Sequence, residues 1–583
     1  MIRTPLFLTI GVMAALYSGT AALAADDPAA APPLSKRTID SGLPLSANQQ
    51  ATGLDALDLA LKIDPAAARV DGTARYALTA LAPMTRVEFD LDPRYAISAV
   101  TLNGAAVAAS GWRNSDGQLS IDLPAAAAKG DKVNVEIRYG GRPHIAKRAP
   151  WDGGIMWRST PAGQPWIATA NQMEGCDILW PCIDSPVKRV ATTDIAFTVP
   201  APLVAAGNGT FNGRSDDNGW TTWKWRARNL NMYGLTLNIG PYEKVEKTFT
   251  SRFGNSFPIS FFHLPGNGAK AAVLVDQMAD SIAFFERTIG PYPFGNEKVG
   301  LVETPHLGME HQTINGYGNN FKLAPEGYDW LMQHEFAHEW FANQLAQTET
   351  KHMWLQEGLG SYMQPLYMQQ ARGEQLYQAL LWDMRKKIVS KVPLTPTGYL
   401  PSTYYNDKEA GWGGDIYTKG AWIAHTLRGL IGDKPFFDAL RTTVYGRPDP
   451  KPGNFAPVYR TTDDFRREAE RTSGRDLKWF FDAYLHQGPL PKLTATRTGQ
   501  RLDLAWTTAG GTPFPMPVEV RVGARLVRVA MTGGRGSVTL DADTGDYTVD
   551  PANKILRDDP AITAWQAQEK ADKDAKAKAA TGQ

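Results

Sequence analysis

The first half of the chain alternates apolar and polar residues, the pattern expected of strands that bury one face. The clearest runs are Val87, Phe89 and Leu91 against Arg86, Glu88 and Asp90, and Val133, Val135 and Ile137 against Lys132, Asn134 and Glu136. Turn-forming pairs such as Asn103-Gly104 and Asp116-Gly117 separate such runs. The pattern predicts a β domain over residues 40–248.

Longer helical segments dominate the next region, residues 249–490, which we predict to be the second domain. Its clearest helix is predicted over Tyr328–Gln344, a stretch without Gly or Pro that carries several large apolar residues. The Gly488-Pro489 break ends this region. Alternation then returns at Val518–Val522, which predicts a small β module over 491–560. Residues 561–583 are rich in Ala, Lys and Asp, and we expect a disordered tail.

Composition limits the classes of partner. A chain of 583 residues exceeds what a single core supports, so several domains are expected. The 61 Lys and Arg residues nearly balance the 60 Asp and Glu residues, for a net charge of +1. This balance gives no electrostatic reason to expect nucleic acid or an anionic membrane as a partner.

The N-terminus has the pattern of an export signal. Arg3 precedes an apolar run over 5–16, and small residues over 21–25 resemble a cleavage site. The run is too short to span a bilayer, and no later apolar stretch is long enough. We predict a signal peptide over 1–25 and a soluble protein that is periplasmic or secreted.

The chain has two cysteines, Cys176 and Cys182, with five residues between them. Disulfides can form in an exported protein. Two cysteines so close in sequence are equally compatible with two small buried apolar residues. The sequence leaves both possibilities open.

The most informative motif is His334-Glu335-Phe336-Ala337-His338 within the predicted helix. Histidines four residues apart project from one helix face, so both imidazoles can bind one metal ion. Glu335 is turned away from that row, where its carboxylate can act as a base toward a water molecule. Glu357 follows in a second predicted helix and completes a His₂Glu set. Such a set leaves one coordination position open, which is typical of catalytic zinc.

Together with four further segments, this motif resembles the gluzincin aminopeptidases of peptidase family M1, the group of aminopeptidase N and the leukotriene hydrolases. The segments are Trp354-Leu355-Gln356-Glu357-Gly358, Gly308-Met309-Glu310, Asn171-Gln172-Met173-Glu174 followed by Pro181-Cys182-Ile183-Asp184-Ser185-Pro186, and Ile416-Tyr417-Thr418-Lys419-Gly420. The resemblance covers about residues 60–490. It implies a multidomain α+β fold with a saddle-like N-terminal β-sheet domain, a thermolysin-like catalytic domain and a C-terminal β-sandwich module.

The resemblance also implies roles for single residues. One zinc ion per chain would be held by His334, His338 and Glu357, with Glu335 as the general base. The substrate would be a peptide with a free N-terminus, whose ammonium Glu310 binds with help from Glu174. The other implied substrate-binding residues are Gln172, Gly308 and Met309. Tyr417 would stabilise the oxyanion, and Tyr404 and Tyr405 are the competing tyrosines nearby.

Three departures from the family pattern affect the expected cleft. Leu307 replaces a glycine and is expected to narrow it, and His311 replaces an asparagine and is expected to add a polar contact near the leaving group. The sequence after Pro491 is too short for the large helical C-terminal domain of many members. We therefore expect a more open cleft.

Three alternatives compete with an aminopeptidase. A thermolysin-like endopeptidase would share the metal chemistry without binding an amine. Epoxide hydrolysis on the same zinc is a second possibility that the resemblance implies. A binding protein on an inactive version of the fold is the third, but such a protein would be expected to have lost part of the ligand set, and here the set is complete.

Overall fold

The computed structural model describes residues 33–407, 410–453, 455–541 and 546–581. The predicted signal peptide, 1–25, lies outside these ranges. Among the helices in the described part of the chain, none is both long enough and apolar enough to cross a membrane.

The N-terminal region is built from three sheets. The eight-stranded sheet has the order Thr210–Asp217, Trp220–Asn231, Arg189–Pro200, Thr52–Asp64, Arg69–Ala80, Lys132–Gly141, Ala96–Leu102 and Ala105–Ala106. The three-stranded sheet consists of Met84–Asp90, Gln118–Ala127 and Trp112–Ser115, and the four-stranded sheet of Val204–Ala206, Asn238–Gly240, Pro165–Ala170 and Gly154–Ser159. A short helix, Ala47–Ala51, precedes them.

The strand Met84–Asp90 shows the predicted alternation of apolar and polar residues, but the structure buries both of its faces. Val87 and Phe89 are fully buried, as the pattern predicts, but Glu88 and Asp90 are buried as well. The residues before the first strand cover the polar face: Arg37 Nε donates to Asp90 Oδ1 at 2.5 Å, and Gln49 Nε2 donates to Asp90 Oδ2 at 2.9 Å. A buried carboxylate of this kind is held by its partners instead of by water.

Cys176 and Cys182 form a disulfide, which settles the alternatives that the sequence left open. The Asp184 carboxylate next to it accepts hydrogen bonds from the backbone amides of Cys176 and Gly42, at 3.3 and 3.2 Å. Ser41 Oγ donates to the same carboxylate at 3.2 Å. The Pro-Cys-Ile-Asp-Ser-Pro segment thereby ties the start of the described chain to the β domain.

A five-stranded mixed sheet opens the second region. Its order is Glu243–Thr250, Ser256–His263, Val299–Glu303, Asn315–Tyr317 and Gly308–Met309. The predicted boundary between 248 and 249 falls inside the strand Glu243–Thr250, which pairs along its length with Ser256–His263. We therefore propose that this domain begins before Glu243.

Helices cover this sheet, and three of them carry the predicted residues His334, Glu357 and Tyr417. They are Gly268–Thr288, Trp330–His338, Trp354–Arg372, Glu374–Arg385, Asp415–Ile431, Asp433–Tyr445, Thr462–Ser473 and Lys478–Leu485. A π-helical segment, Glu339–Gln344, follows the second of these, and a parallel pair, Leu345–Gln347 with Val458–Arg460, joins them. Below we call Trp330–His338 the motif helix, Trp354–Arg372 the glutamate helix and Asp415–Ile431 the tyrosine helix.

Two three-stranded sheets form the C-terminal module. They are Lys492–Thr498, Arg501–Thr507 and Arg535–Thr539, and Arg525–Val529, Val518–Val522 and Tyr547–Val549. Val518, Val520 and Val522 are fully buried. The module shares one continuous apolar core with the helices of the second region, whereas the N-terminal sheets have a core of their own.

The predicted disordered tail is wrong for the residues described, because Pro560–Thr581 is a helix. Ala and Lys are strong helix formers, and no Gly or Pro interrupts the segment after Pro560. Its first turns are also anchored: Ile562 is buried, and Gln566 Nε2 donates to the carbonyls of Lys386 and Ile388 at 2.9 Å each. Composition alone did not reveal these contacts.

The motif helix depends on Asp329 at its N-cap, which gives a stability prediction. Asp329 Oδ1 accepts from the Met332 amide at 3.0 Å, and Oδ2 accepts from the Tyr317 hydroxyl at 2.5 Å. We expect Asp329→Ala to lose the cap and to leave the buried Tyr317 hydroxyl without an acceptor for its proton, a cost of about 2–4 kcal/mol. The shift in urea unfolding midpoint measures this cost. Asp276→Ala, at an exposed ion pair with Lys247, is the control and should cost less than about 0.5 kcal/mol.

Candidate active site

The two histidines of the motif lie on one face of the motif helix. The Nε2 atoms of His334 and His338 are 3.2 Å apart. Ligand atoms about 2.0–2.1 Å from one tetrahedral zinc ion lie about 3.3 Å from each other. The imidazoles are therefore already spaced as a shared ion requires.

The motif helix is shorter than predicted, because the α-helix ends at His338 and continues as the π-helical segment Glu339–Gln344. Phe341 departs from helical geometry there, with φ −109° and ψ 48°. As a result, its carbonyl can accept a hydrogen bond from His338 Nδ1 at 3.3 Å. This bond orients the His338 ring so that Nε2 faces His334 and Glu357, as the outer partners of metal-binding histidines commonly do.

Glu357, in the first turn of the glutamate helix, completes the set. Its Oε2 lies 3.4 Å from His338 Nε2 and 3.7 Å from His334 Nε2. This oxygen is buried and accepts no hydrogen bond within the described part of the chain. A buried carboxylate oxygen without a partner is costly, so these residues fit a bound divalent cation. The donor set of two imidazoles and one carboxylate suits zinc.

Two glycines bring the tyrosine helix against the glutamate helix. A Cβ atom on Gly358 would lie 2.7 Å from Cα of Gly420, a distance that no side chain allows. The backbones can therefore approach closely at this crossing, one residue after Glu357 and three after Tyr417. The Tyr417 ring lies 5.8 Å from the His334 ring, measured between centroids.

A third glycine makes room for the predicted base. A Cβ atom on Gly308 would overlap Glu335 Oε1, so any other residue in the strand Gly308–Met309 would require the Glu335 carboxylate to move. Glu335 is itself largely buried and accepts no hydrogen bond from a side chain or amide in the described ranges. Its oxygens remain available to a ligand.

Glu310 ends this strand and faces the same space. Gln172 Nε2 donates to Glu310 Oε1 at 2.6 Å, and the Tyr233 hydroxyl donates to the same oxygen at 3.1 Å. One Glu310 oxygen lies within 4.8 Å of ligand atoms of both Glu335 and His338. Two partners from the N-terminal region thus hold an acidic group beside the candidate metal ligands.

The charges of this site are unbalanced. Burial raises the pKa of Glu335 well above its ordinary value, with further increases from Glu310 and Glu357. Burial and then Glu357 raise the pKa of Glu310, although His338 opposes them. Burial lowers the pKa of His338, but Glu357 and the other two carboxylates have the larger combined effect and raise this pKa to about 10. Burial and the neighbouring His338 lower the pKa of His334 to about 3. The site therefore favours bound cations.

These groups line one cavity of about 350 Å³. The predicted site residues that it brings together are His334, His338, Glu357, Glu335, Tyr417, Glu310, Gln172, Gly308 and Met309. Apolar side chains complete much of the wall: Met173, Leu307, Trp330, Leu331, Met384 and Trp151. The volume fits a short peptide better than a folded chain.

Two predicted contacts are absent from the cavity wall. Glu174 does not line it, since its Oε2 accepts a hydrogen bond from the Gly153 amide and burial raises its pKa to about 7. His311 is fully buried, against the prediction of a polar contact at the cleft, and its ring meets His306 edge-on at 6.2 Å between centroids. Leu307 does line the cavity, as its position in the motif suggested.

Sequence reasoning missed the groups that reach the site from distant segments. Tyr233 holds Glu310, and nothing near it in sequence marks that role. Tyr405 was considered only as a competitor of Tyr417, yet both rings line the cavity and lie 6.1 Å apart. Lys387 also lines it, from the end of a helix without a recognisable motif.

Comparisons with known proteins find similarity to one family of peptidases. Residues 275–484 match the model of the peptidase family M1 domain. Glutamyl aminopeptidase of Rattus norvegicus is 24% identical over 404 residues, which cover 64% of this chain and 40% of the relative. Leucine aminopeptidase 2 of Neurospora crassa is 23% identical over 322 residues, covering 52% of this chain and 45% of the relative. The chain thus spans less than half the length of such relatives.

Solved structures share the fold. A variant of an M1 zinc metallopeptidase from Deinococcus radiodurans, bound to the substrate Tyr-Ser-Ala, aligns with a TM-score of 0.63 and 22% identity over 78% of this chain and 98% of that one. Aminopeptidase A of Legionella pneumophila, in complex with aspartic acid, aligns with a TM-score of 0.69 and 16% identity over 88% of this chain and 59% of that one. The multidomain α+β architecture predicted from the sequence is confirmed.

Proposed function

We propose that this chain, whose residues 275–484 match the peptidase family M1 domain, is a zinc-dependent aminopeptidase that removes the N-terminal residue from peptides. The observation that carries the proposal is the presence of Glu310 in the same cavity as the His334, His338 and Glu357 set. A metal set alone supports peptide hydrolysis in general. An acidic group held beside it supports recognition of a free amine.

The proposed metal content is one zinc ion per chain, held by the His₂Glu set. When bound, zinc would supply Lewis-acid chemistry, lowering the pKa of a water molecule and polarising the scissile carbonyl. The unpartnered Glu357 Oε2 and the 3.2 Å spacing of the imidazole nitrogens support this assignment.

Glu310 would bind the α-ammonium of the substrate. Its Oε1 is fixed by Gln172 and Tyr233, so the carboxylate keeps one orientation toward the cavity. A charge-assisted hydrogen bond there positions the first peptide bond beside Glu335. We assign this anchor to Glu310 alone, because Glu174 is turned toward Gly153.

Glu335 would carry the proton through the reaction. It takes a proton from water while the water oxygen bonds to the carbonyl carbon, and it then gives the proton to the leaving nitrogen as the C–N bond breaks. The Tyr417 hydroxyl would donate a hydrogen bond to the carbonyl oxygen as negative charge develops on it. The protein thereby uses one carboxylate as both base and acid.

The relatives guide the choice between this function and its alternatives. Several carry aminopeptidase names, and the Deinococcus structure holds the short substrate Tyr-Ser-Ala. We therefore prefer unblocked peptides over internal cleavage sites or epoxides as substrates. The sequence pattern of residues 1–25 adds the proposal that the protein acts outside the cytoplasm, in the periplasm or after secretion.

The metal assignment predicts a defined stoichiometry. We expect purified protein to contain one zinc ion per chain by elemental analysis, and His338→Ala or Glu357→Ala to retain less than about a tenth of it. His486→Ala is the matched control, because this histidine donates to the Thr395 carbonyl and does not line the cavity. Equal zinc content in all four proteins would contradict the ligand set.

The base assignment predicts a variant that binds metal and does not turn over. Glu335→Gln keeps the shape of the side chain but cannot accept the proton, so we expect kcat to fall about 10²- to 10⁴-fold with unchanged zinc content. Hydrolysis of an aminoacyl arylamide measures kcat. Turnover close to that of the unmodified protein would assign the base elsewhere.

The amine anchor predicts that a blocked substrate is not cut. An N-acetylated peptide should be resistant, whereas an endopeptidase would cut it at the same rate as the free peptide. Glu310→Gln should lower kcat/KM for free peptides about 10- to 100-fold through loss of a charge-assisted hydrogen bond. Glu174→Gln is the matched control, with a smaller expected effect since this group lies outside the cavity wall.

A further inference from the structure

The second tyrosine at the cavity, Tyr405, has a hydroxyl without a protein partner. Most buried tyrosines in the described ranges donate a hydrogen bond, as Tyr233 does to Glu310, Tyr317 to Asp329 and Tyr484 to the Leu556 carbonyl. Tyr405 is only 5% exposed and lines the cavity, yet its hydroxyl bonds to no described residue. The hydroxyl oxygen itself is not fully buried, so it is open to the cavity, where a ligand can accept a hydrogen bond from it.

Tyr405 lines the same cavity as the residues proposed to carry out the reaction, Glu335 and Tyr417. Its ring packs nearly perpendicular to the Tyr417 ring, with centroids 6.1 Å apart and planes 83° apart. Burial raises the pKa of its hydroxyl well above the ordinary value, and the nearby carboxylates of Glu357, Glu310 and Glu335 raise it further. The Tyr417 ring in turn lies 5.8 Å from the His334 ring, between centroids, so Tyr405 is part of the cavity wall next to the candidate metal ligands.

The backbone around Tyr405 is fixed by three segments of the N-terminal region. Tyr405 lies in the 3-10 turn Ser402–Asn406. Ser402 Oγ donates to the Met173 carbonyl at 2.6 Å and accepts from the Ser41 amide at 2.9 Å. Asn406 Nδ2 donates to the Trp151 carbonyl. A side chain on such an anchored turn is held in place before any ligand binds, as stabilisation of developing charge requires.

We propose that Tyr405 is a further catalytic residue, whose hydroxyl donates a second hydrogen bond to the scissile carbonyl oxygen opposite the one from Tyr417. This inference rests on the proposed peptidase function. As water adds to the carbonyl carbon, the C=O π electrons move onto that oxygen, and both hydroxyls donate to it without giving up their protons. Collapse of the adduct returns these electrons to the C–O bond and releases the amine.

The test compares Tyr405→Phe with Tyr404→Phe, which serves as the matched control. Phenylalanine keeps each ring and removes only the hydroxyl, and Tyr404 packs edge-on against Trp412 without lining the cavity. With an aminoacyl arylamide substrate, we expect Tyr405→Phe to lower kcat about 100-fold with KM changed less than about threefold. Tyr404→Phe should stay within about twofold in both constants. Unfolding midpoints of both variants check that the fold is retained.

A binding measurement tests whether the Tyr405 hydroxyl contacts the oxyanion or another part of the substrate. A phosphinic pseudopeptide carries charged oxygens where the adduct has them, whereas a free amino acid product does not. Tyr405→Phe should raise the inhibition constant of the phosphinic compound by about the same factor as kcat falls, and leave that of the product unchanged.

Three results would contradict the inference. Unchanged kcat would show that the hydroxyl is not used, and a change confined to KM or to product affinity would assign it to the amine or the side chain of the substrate. Equal loss of affinity for the phosphinic compound and the product would also contradict a role confined to the adduct. Failure of the unmodified protein to hydrolyse any unblocked arylamide would instead contradict the proposed function itself.

Discussion

Three carboxylates, Glu310, Glu335 and Glu357, share one largely buried cavity, and this crowding of like charge governs the rest of the site. Each group has lost most of its hydration, so each needs a cation or a proton nearby. Two cations of different kinds would balance them: a metal ion beside Glu357 and its histidines, and an ammonium group beside Glu310. Glu335 lies between the two and is the carboxylate left free to exchange a proton. The arrangement therefore stores electrostatic energy that the correct ligands release.

Glycines allow this crowding at the level of the backbone. Gly358 and Gly420 let two helices approach until a Cβ on either would collide with the other chain segment, and Gly308 lets a strand pass over Glu335. A side chain at Gly358 or Gly420 would push the two helices apart, and with them Glu357 and Tyr417, whereas a side chain at Gly308 would displace the Glu335 carboxylate. The spacing of the reactive groups is thus set by backbone contact, which varies less than side-chain packing does.

Helical periodicity was enough to predict that His334 and His338 lie on one helix face. The position of Glu357 beside them also depends on how two helices pack together. Glu310 came from the family resemblance, since a lone glutamate after a short strand has no local signature. Tyr233 and Tyr405 could not be predicted because their roles depend on contacts with segments more than seventy residues away. The helix Pro560–Thr581 was missed for a related reason: composition does not report anchoring contacts with another part of the chain.

The two ends of the cavity come from different parts of the chain. The metal end belongs to the helices of the second region, whereas the amine end depends on Gln172 and Tyr233 from the N-terminal sheets, which bond to Glu310. The turn that carries Tyr405 is likewise tied to Ser41 and Met173. A metal set can form within one domain, but the distance between metal and amine is fixed only when the two regions pack together. The proposed selectivity for the end of a peptide would therefore be a property of the interface between the two regions.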